Sequence, residues 1–337
     1  MKKSVALIFG GEGCERDISL RSAQSIYEMI DKERFSVLPV YISENGDWYA
    51  QREMPKGEIP RDIPTFPVRI DGRSGFLVKG HVGSVSVALP ILHGECGEDG
   101  VIQGALEAAH IPYIGCDVIS GAVCSDKAYT KAVAKSLGIP CAKWVASDSR
   151  EGNEVKAAAE ESFGYPMFIK PARRGSSIGA SRVDKSEDFY PAYDAAAIHG
   201  RVIVEECIDV KCEVECGFLS LDGKTLVNPG GTIDTDGNFY DFDTKYRPES
   251  TVKASHGSPL TPEREKIAAM AKRLVSALDM RHIGRLDFLI SRTGEIYFNE
   301  VNTIPGMTAT SLYPGITEDM GLERGEFINR LIEEAVK

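Results

Sequence analysis

Residues 285–302, RLDFLISRTGEIYFNEVN, restrict what this chain can become more than any other stretch. They read as two short strands, RLDFLIS and EIYFNEVN, joined by a tight turn at Thr293-Gly294. Side chains alternate faces along a strand, and directly paired residues share a face. A two-residue loop therefore sets Asp287 opposite Glu300 and Arg285 opposite Asn302, with Leu286, Phe288 and Val301 turned into a core. Two carboxylates and an amide oxygen converge beside a guanidinium. Like charges on adjacent strands repel unless something positive lies between them. A hard divalent cation meets that need, because Mg²⁺ takes oxygen from one or two carboxylates and keeps positions open for phosphate. The competing reading is a solvated hairpin face in which Arg285 neutralises one acid. Spacing alone leaves both open.

Other stretches carry the groups a phosphate site needs. Lys170 ends the apolar run MFIK, and PARRGSSIG follows. Gly175, Ser176, Ser177 and Gly179 offer small residues, backbone N–H groups and hydroxyls, the parts of a phosphate cradle. The loop lacks GKS or GKT, which excludes a P-loop NTPase, and alone it reads equally as a surface turn. RVIVEECI, residues 201–208, is a buried strand ending in acids, the pattern of a segment that meets a base through its backbone.

At the other end of the chain SVALIF, residues 4–9, runs into Gly10-Gly11 and then an amphipathic stretch over 18–30: strand, turn, helix. Arg16 stands where the dinucleotide fingerprint has its third glycine, which disfavours NAD. Glu15 falls near the helix N-terminus, as a helix charge or as a ligand for a substrate ammonium. FSVLPVYI (35–42) and SVSVALPIL (84–92) add strands, and the latter ends in HGECGEDG before the helix VIQGALEAAH. Two glycine loops at one sheet edge make a cleft, although His93 by itself reads more readily as a structural histidine.

Residues 51–67, rich in proline and charge, read as an irregular surface segment. Ser125-Asp126 caps the helix KAYTKAVAKSL, which puts a domain boundary near Gly121. Residues 234–250, DTDGNFYDFDTKYRPES, are polar and turn-rich, a flap rather than a core element, with Lys245 and Tyr246 prominent in it. Thr261-Pro262-Glu263 opens a helix whose apolar stripe is Ile267, Met270, Ala271, Leu274 and Leu278.

A length of 337 residues suffices for two or three domains with cores of their own. The net charge of -11 argues against nucleic acid or an anionic membrane as partner, while a local pocket can still take an anionic nucleotide. No run is apolar enough to span a membrane, SVALIF is too short for a signal-peptide core, and the cytoplasm is the expected compartment. The eight cysteines include no CxxC pair, and Cys207, Cys212 and Cys216 match no common zinc spacing, so free thiols are expected.

The order of these pieces resembles the D-alanine:D-alanine ligases of the ATP-grasp superfamily, essentially from end to end. GGEGCERDISL, LHGECGEDGVIQG, SDKAYTK, FIKPARRGSSIG, FYDFDTKY, GRLDF and FNEVNTIPGMTATSLYP carry the likeness. It implies an α/β chain with an ATP-grasp fold behind an N-terminal Rossmann-like parallel-sheet domain. The implied domains are residues 1–120 for substrate, 121–209 with the glycine-serine loop, and 210–337 with a flap at about 234–256 and the metal site. The implied reaction phosphorylates one D-alanine with ATP and lets the amine of a second attack the acyl phosphate, for peptidoglycan precursor synthesis. By the same resemblance, Asp287, Glu300 and Asn302 hold two Mg²⁺, or Mn²⁺, and Lys127, Lys170 and Lys245 contact phosphates. Ser177 lines the phosphate loop, Glu205, Glu206 and Ile208 lie near adenine, and Glu213 takes the ribose, in a segment one residue longer than the family's and without its glycine. Glu15 anchors the first ammonium beside His93, Ser176 and Tyr246 link Glu15 to the flap, and Arg285 and the Gly306 N–H form an oxyanion hole. Ser311 and Leu312 meet the second carboxylate, and with Lys245-Tyr246 favour D-alanine over D-serine or D-lactate there. A homodimer is typical of the family. A catalytically silent nucleotide-binding protein is the contrasting class.

Overall fold

The computed structural model describes residues 2–147, 152–234, 253–308, 310–323 and 325–336, so the expected flap residues Lys245 and Tyr246 lie outside the described residues. The first sheet grows from β1 (Lys3–Gly10), whose Val5, Ala6, Leu7 and Ile8 are fully buried, as a parallel strand covered on both faces must be. Helix α1 (Arg16–Met29) follows, then β2 (Phe35–Ile42), parallel to β1, and β3 (Trp48–Ala50), antiparallel at its edge. Strands β4 (Pro67–Ile70), β5 (Arg73–Val78) and β6 (His81–Ser84) form a small separate sheet that sequence reading does not anticipate, since β4 and β6 bury little and show no apolar alternation. β7 (Val87–Ile91) returns parallel to β1, giving the order β3-β2-β1-β7, and leads to α2 (Val101–Ala108).

Helices α3 (Val118–Ser125) and α4 (Lys127–Ser136) come next, and Asp126 caps α4 by accepting from the Ala128 and Tyr129 N–H groups. Strand β8 (Trp144–Ser147), α5 (Asn153–Ser162), β9 (Met167–Pro171), β10 (Ser181–Val183), α6 (Phe189–Ala197) and β11 (Val202–Glu206) make an antiparallel sheet ordered β10-β9-β11-β8 with its own core. The last sheet, also antiparallel, contains β12 (Val210–Leu221), β13 (Lys224–Asp234) and β14 (Lys253–Ser255). After α7 (Pro262–Ala277) it is completed by β15 (Ile283–Ser291) and β16 (Ile296–Asn302), in the order β14-β13-β12-β15-β16. Helices α8 (Leu312–Glu318) and α9 (Glu326–Ala335) close the chain. The expected stripe of α7 is its buried face, with Ile267, Ala271, Leu274 and Leu278 in the core.

Two cores tie distant segments together. Phe9, Ile26 and Leu89 of the N-terminal sheet and its helix share one with Leu219, Tyr313, Phe327 and Leu331. Cys124 of α3 and Ala134 of α4 join the other, beneath the last sheet, rather than the core of the β8–β11 sheet. Among the described residues no helix is long and apolar enough to cross a membrane, and all eight cysteines are free thiols.

The β15–β16 hairpin corrects one expectation and keeps its consequence. Ile290 pairs with Ile296 and the Ser291 N–H donates to Glu295, so the turn holds three residues, Arg292, Thr293 and Gly294, rather than two. An odd turn would bring Asn299 opposite Asp287. A β-bulge at Asn299 adds one residue to β16, and beyond it Asp287 faces Glu300 and Arg285 faces Asn302. The bulge also lets Phe298 and Val301, three residues apart, both reach the core. That break in the two-residue period was the available signal.

Candidate functional site

The two antiparallel sheets face each other across a cavity of about 330 Å³. Strands β9 and β11 supply Phe168, Lys170 and Glu205, and the loop after β9 supplies Gly175, Ser176 and Ser177. From the opposite sheet come Glu213 and Glu215 of β12, Arg285, Asp287 and Leu289 of β15, and Glu300 of β16. Alternation explains the set: Leu286, Phe288 and Ile290 point into the core behind while Arg285, Asp287 and Leu289 point forward. A bulge at Lys211 shifts the register of β12 by one residue, and past it Glu213 and Glu215 share the forward face. Glu206 and Ile208 line the same cavity, which Phe168, Ile178 and Leu289 make apolar in part.

The acids are neutralised by fixed cations. Arg285 grips Asp287 as a fork, Nε to Oδ1 at 2.7 Å and Nη2 to Oδ2 at 2.8 Å, and Asn302 Nδ2 donates to Asp287 Oδ2 at 2.9 Å. Arg285 Nη1 lies 3.5 Å from Glu215 Oε1. Burial works against the guanidinium's charge, but Asp287 and Glu215 outweigh it and hold its pKa well above the ordinary value. Lys127, at the start of α4, reaches Glu300 at 3.2 Å and donates to the Arg174 carbonyl at 2.7 Å. One lysine thus touches both an acid of the hairpin and the glycine-serine loop. Arg285 does neutralise an acid, as the competing reading of the hairpin supposed, but the face is walled in: Asp287 is 8% exposed.

No three His, Cys, Asp or Glu side chains among the described residues are arranged to hold a metal. The donor set that fits Mg²⁺ is two carboxylates, Asp287 and Glu300, paired across the strands, with the carbonyl oxygen of Asn302, whose amide nitrogen is taken by Asp287. All are hard oxygens, and the chain has already placed positive charge against both acids.

A smaller pocket adjoins, lined by Glu15, His93, Gly94 and Gly175. Glu15 is the N-cap residue of α1, and its Oε1 accepts a short hydrogen bond from Ser176 Oγ, which joins the first loop to the glycine-serine loop. Gly94 has left-handed backbone, φ 74°, and a Cβ there would come within 2.8 Å of a Glu15 carboxylate oxygen, so glycine lets that loop close over Glu15 without strain. Ser176 and Ser177 both have left-handed backbone, φ 50° and 58°, a conformation that costs energy outside glycine and collects at functional loops. His93 contacts Ser22 Oγ at 3.3 Å, and burial pushes its pKa below the ordinary histidine range while Glu15 pulls the other way.

Ser22 and Glu98 fasten the loop after β16 to this pocket. The Met307 N–H donates to Ser22 Oγ at 3.2 Å, while Glu98 accepts from the Gly94 N–H at 2.8 Å and the Ile304 N–H at 3.1 Å. Gly306 lies so close to Ser311 that a Cβ would come within 2.8 Å of its Oγ, and Leu312 begins α8 beside it. Sequence reading missed Glu98 and Glu215. Glu215 had a signal, since Glu213-x-Glu215 places both acids on one strand face.

Residues 4–116 match the family model described as D-ala D-ala ligase N-terminus, and residues 133–333 the one described as D-ala D-ala ligase C-terminus. The D-alanine–D-alanine ligase of Deinococcus radiodurans is 38% identical over 348 residues, spanning 100% of this chain and 99% of the relative. D-alanine–D-alanine ligase A of Escherichia coli K12 is 34% identical over 352 residues, spanning 100% and 96%. Among solved structures, the VanG D-Ala:D-Ser ligase from Enterococcus faecalis superposes with a TM-score of 0.88 at 32% identity, over 99% of this chain and 100% of that one.

Proposed function

The chain belongs to the D-alanine–D-alanine ligase family, and on that premise we propose that it joins two D-alanines into D-alanyl-D-alanine, driven by ATP. The observation that carries the reading is the shared cavity: a glycine-serine loop and two lysines on one wall, an acid pair and an arginine on the other. The nucleotide lies between the sheets, adenine against Phe168 and Leu289, ribose hydroxyls on Glu213, phosphates on Lys127, Lys170 and the Ser176-Ser177 loop. Asp287, Glu300 and Asn302 would hold Mg²⁺, which when bound neutralises phosphate charge; Mn²⁺ has the same ligand preference.

A carboxylate is a poor electrophile, and an acyl phosphate supplies the leaving group it lacks. Glu15 holds the ammonium of the first D-alanine beside His93, and its bond to Ser176 fixes that anchor to the phosphate loop. The carboxylate oxygen takes the γ-phosphoryl group and ADP departs; the second substrate's neutral amine then adds to the carbonyl, and the tetrahedral adduct passes one N–H proton to the phosphate as the C–O bond to phosphate breaks, leaving the amide. With Arg285 Nε and Nη2 on Asp287 and Nη1 3.5 Å from Glu215, the second N–H of Nη1 is the one that meets the developing oxyanion, together with the Gly306 N–H. Ser311 and Leu312 receive the carboxylate of the second substrate. By the family resemblance, Lys245 is assigned to phosphate contact and Tyr246 to the link with Ser176 and Glu15. The enzyme works as a homodimer in the cytoplasm and supplies peptidoglycan precursor, the dimer being checked by light scattering.

The likeness to a D-Ala:D-Ser ligase supports a second reading, D-serine as the second substrate. One assay separates them: ATP-dependent phosphate release with D-alanine alone, then with D-serine or D-lactate added, and identification of the product. D-Alanyl-D-alanine is expected. Preference for a mixed product would overturn the assignment of Ser311-Leu312, and no release with any D-amino acid would sink both readings.

A further inference from the structure

We propose that Lys131, which lies outside the cavity wall, is a positioning residue for nucleotide binding: it is the second counter-ion that keeps Glu205 paired when Lys170 turns toward a phosphate. The proposal rests on the nucleotide reading of the cavity.

Lys131 is a fully buried lysine on α4, one helical turn after Lys127. The motif SDKAYTK therefore carries two lysines on one helix face, and the function described so far uses only the first. Lys127 reaches Glu300; Lys131 reaches Glu205 Oε1 at 3.2 Å. The other oxygen of Glu205 lies 3.0 Å from the Lys170 ammonium. Glu205 is thus the centre of a buried cluster with two positive charges and one negative, of which Lys170 touches the cavity and Lys131 does not.

A buried ammonium is costly, so its presence needs a reason. If the cluster only had to neutralise Glu205, Lys170 alone would do it. Lys170, however, also lines the cavity, where a phosphate competes with Glu205 for its three N–H donors and draws the ammonium away from the carboxylate. Were Lys131 absent, each turn of Lys170 toward a triphosphate would strand a carboxylate that is 4% exposed. A stranded buried charge is strongly unfavourable, and the cost would appear as lost nucleotide affinity. With Lys131 in place the carboxylate keeps a partner in both states. Burial alone would raise the Glu205 pKa, yet the two lysines hold it below the ordinary carboxylate value, so the acid keeps its charge.

The test uses the full chain and four variants, Lys131→Met, Lys131→Arg, Glu205→Gln and the double variant Lys131→Met with Glu205→Gln. ATP affinity is measured by calorimetry without D-alanine, the KM values for ATP and D-alanine by phosphate release, and folding by thermal unfolding. Lys131→Met is expected to raise the Kd and KM for ATP at least tenfold and leave the KM for D-alanine within twofold. Lys131→Arg keeps most of the affinity. Because Glu205 lines the cavity itself, the double variant is compared with Glu205→Gln alone, and there Lys131→Met changes the Kd for ATP less than twofold, since no carboxylate remains to be stranded. A folded Lys131→Met with unchanged ATP affinity overturns the proposal, as does a tenfold loss between Glu205→Gln and the double variant. Should Lys131→Met fail to fold, that second comparison decides alone. A parent chain that binds no ATP overturns the nucleotide reading itself, a result distinct from any of these.

Discussion

Asp287 and Glu98 show how much a single carboxylate depends on its surroundings. Asp287 is clamped by Arg285 and Asn302, so Asp287→Asn keeps its size and part of its hydrogen bonding while removing the charge a cation needs. Turnover is expected to fall by about a hundredfold or more, in the range for deleting one electrostatic contact in a catalytic site, with the fold kept but the unfolding temperature lowered because buried Arg285 loses a charged partner. Near-normal turnover in the folded variant would remove Asp287 from the metal site. For Glu98, burial first and the nearby Glu15 carboxylate second push the pKa up to about 7. A folded-state pKa above the unfolded value means that the folded chain holds the proton more tightly. This contribution to stability is complete below the ordinary carboxylate range and is lost as pH rises through about 7. The parent should therefore lose apparent Tm between pH 5 and pH 8, and Glu98→Gln, which never ionises, should lose less; parallel curves for the two would contradict the assignment. Neither Glu98 nor Lys131 was legible from sequence. Each acts through residues far along the chain, Glu98 through Ile304 and Lys131 through Glu205, and no local spacing records such a meeting.

Elements place these residues, and the hairpin shows which part of that placement is readable. The pairing of Asp287 with Glu300 followed from parity, although the turn has three residues and a bulge at Asn299 restores the count. Two departures from the simple hairpin cancel because the constraint is the same at both ends: apolar side chains must reach the core, and the acids must avoid it. Helix α4 is the other element on which the site depends, since it begins with Lys127 and carries Lys131. Its cap, Asp126, is fully buried, accepts from two N–H groups and also binds Arg173 at 3.0 Å and Arg201 at 3.2 Å. Asp126→Ala should cost about 1–2 kcal/mol in chemical denaturation, the upper range for an N-cap, and raise the KM for ATP as Lys127 loses its anchor. Asp126→Asn, which can still cap, should recover most of the stability. A denaturation midpoint unchanged by Asp126→Ala would show that neither the cap nor the pairing of Asp126 with the arginines holds this end of α4.

Over the whole molecule, the N-terminal sheet and the last helix are parts of one packed body, for Phe9 and Leu89 share a core with Phe327 and Leu331, more than two hundred residues later. Phe327 is fully buried and meets Tyr313 edge-on at 6.4 Å. Phe327→Ala should lose about 3–5 kcal/mol, the usual cost of emptying an aromatic core position. Because that core spans both ends of the chain, a single transition should report the loss in the first and the last sheet alike. Separate transitions would mean that the two ends unfold independently.

The sequence by itself determined the elements and the face each presents. The period of two in β15 and the glycines after β1, β7 and β9 are local facts about backbone and burial, and the ordered run of motifs tied them to one family. Tertiary structure decided what those faces meet. The bulges at Lys211 and Asn299, the pairing of Lys127 with Glu300, the hold of Glu98 on two distant loops and the buried Lys131–Glu205–Lys170 cluster exist only once separate sheets close on one another. The physical reason is range: dihedral preference and hydrophobic period act over a few residues, whereas a buried charge is satisfied by whichever opposite charge the folded chain brings within reach.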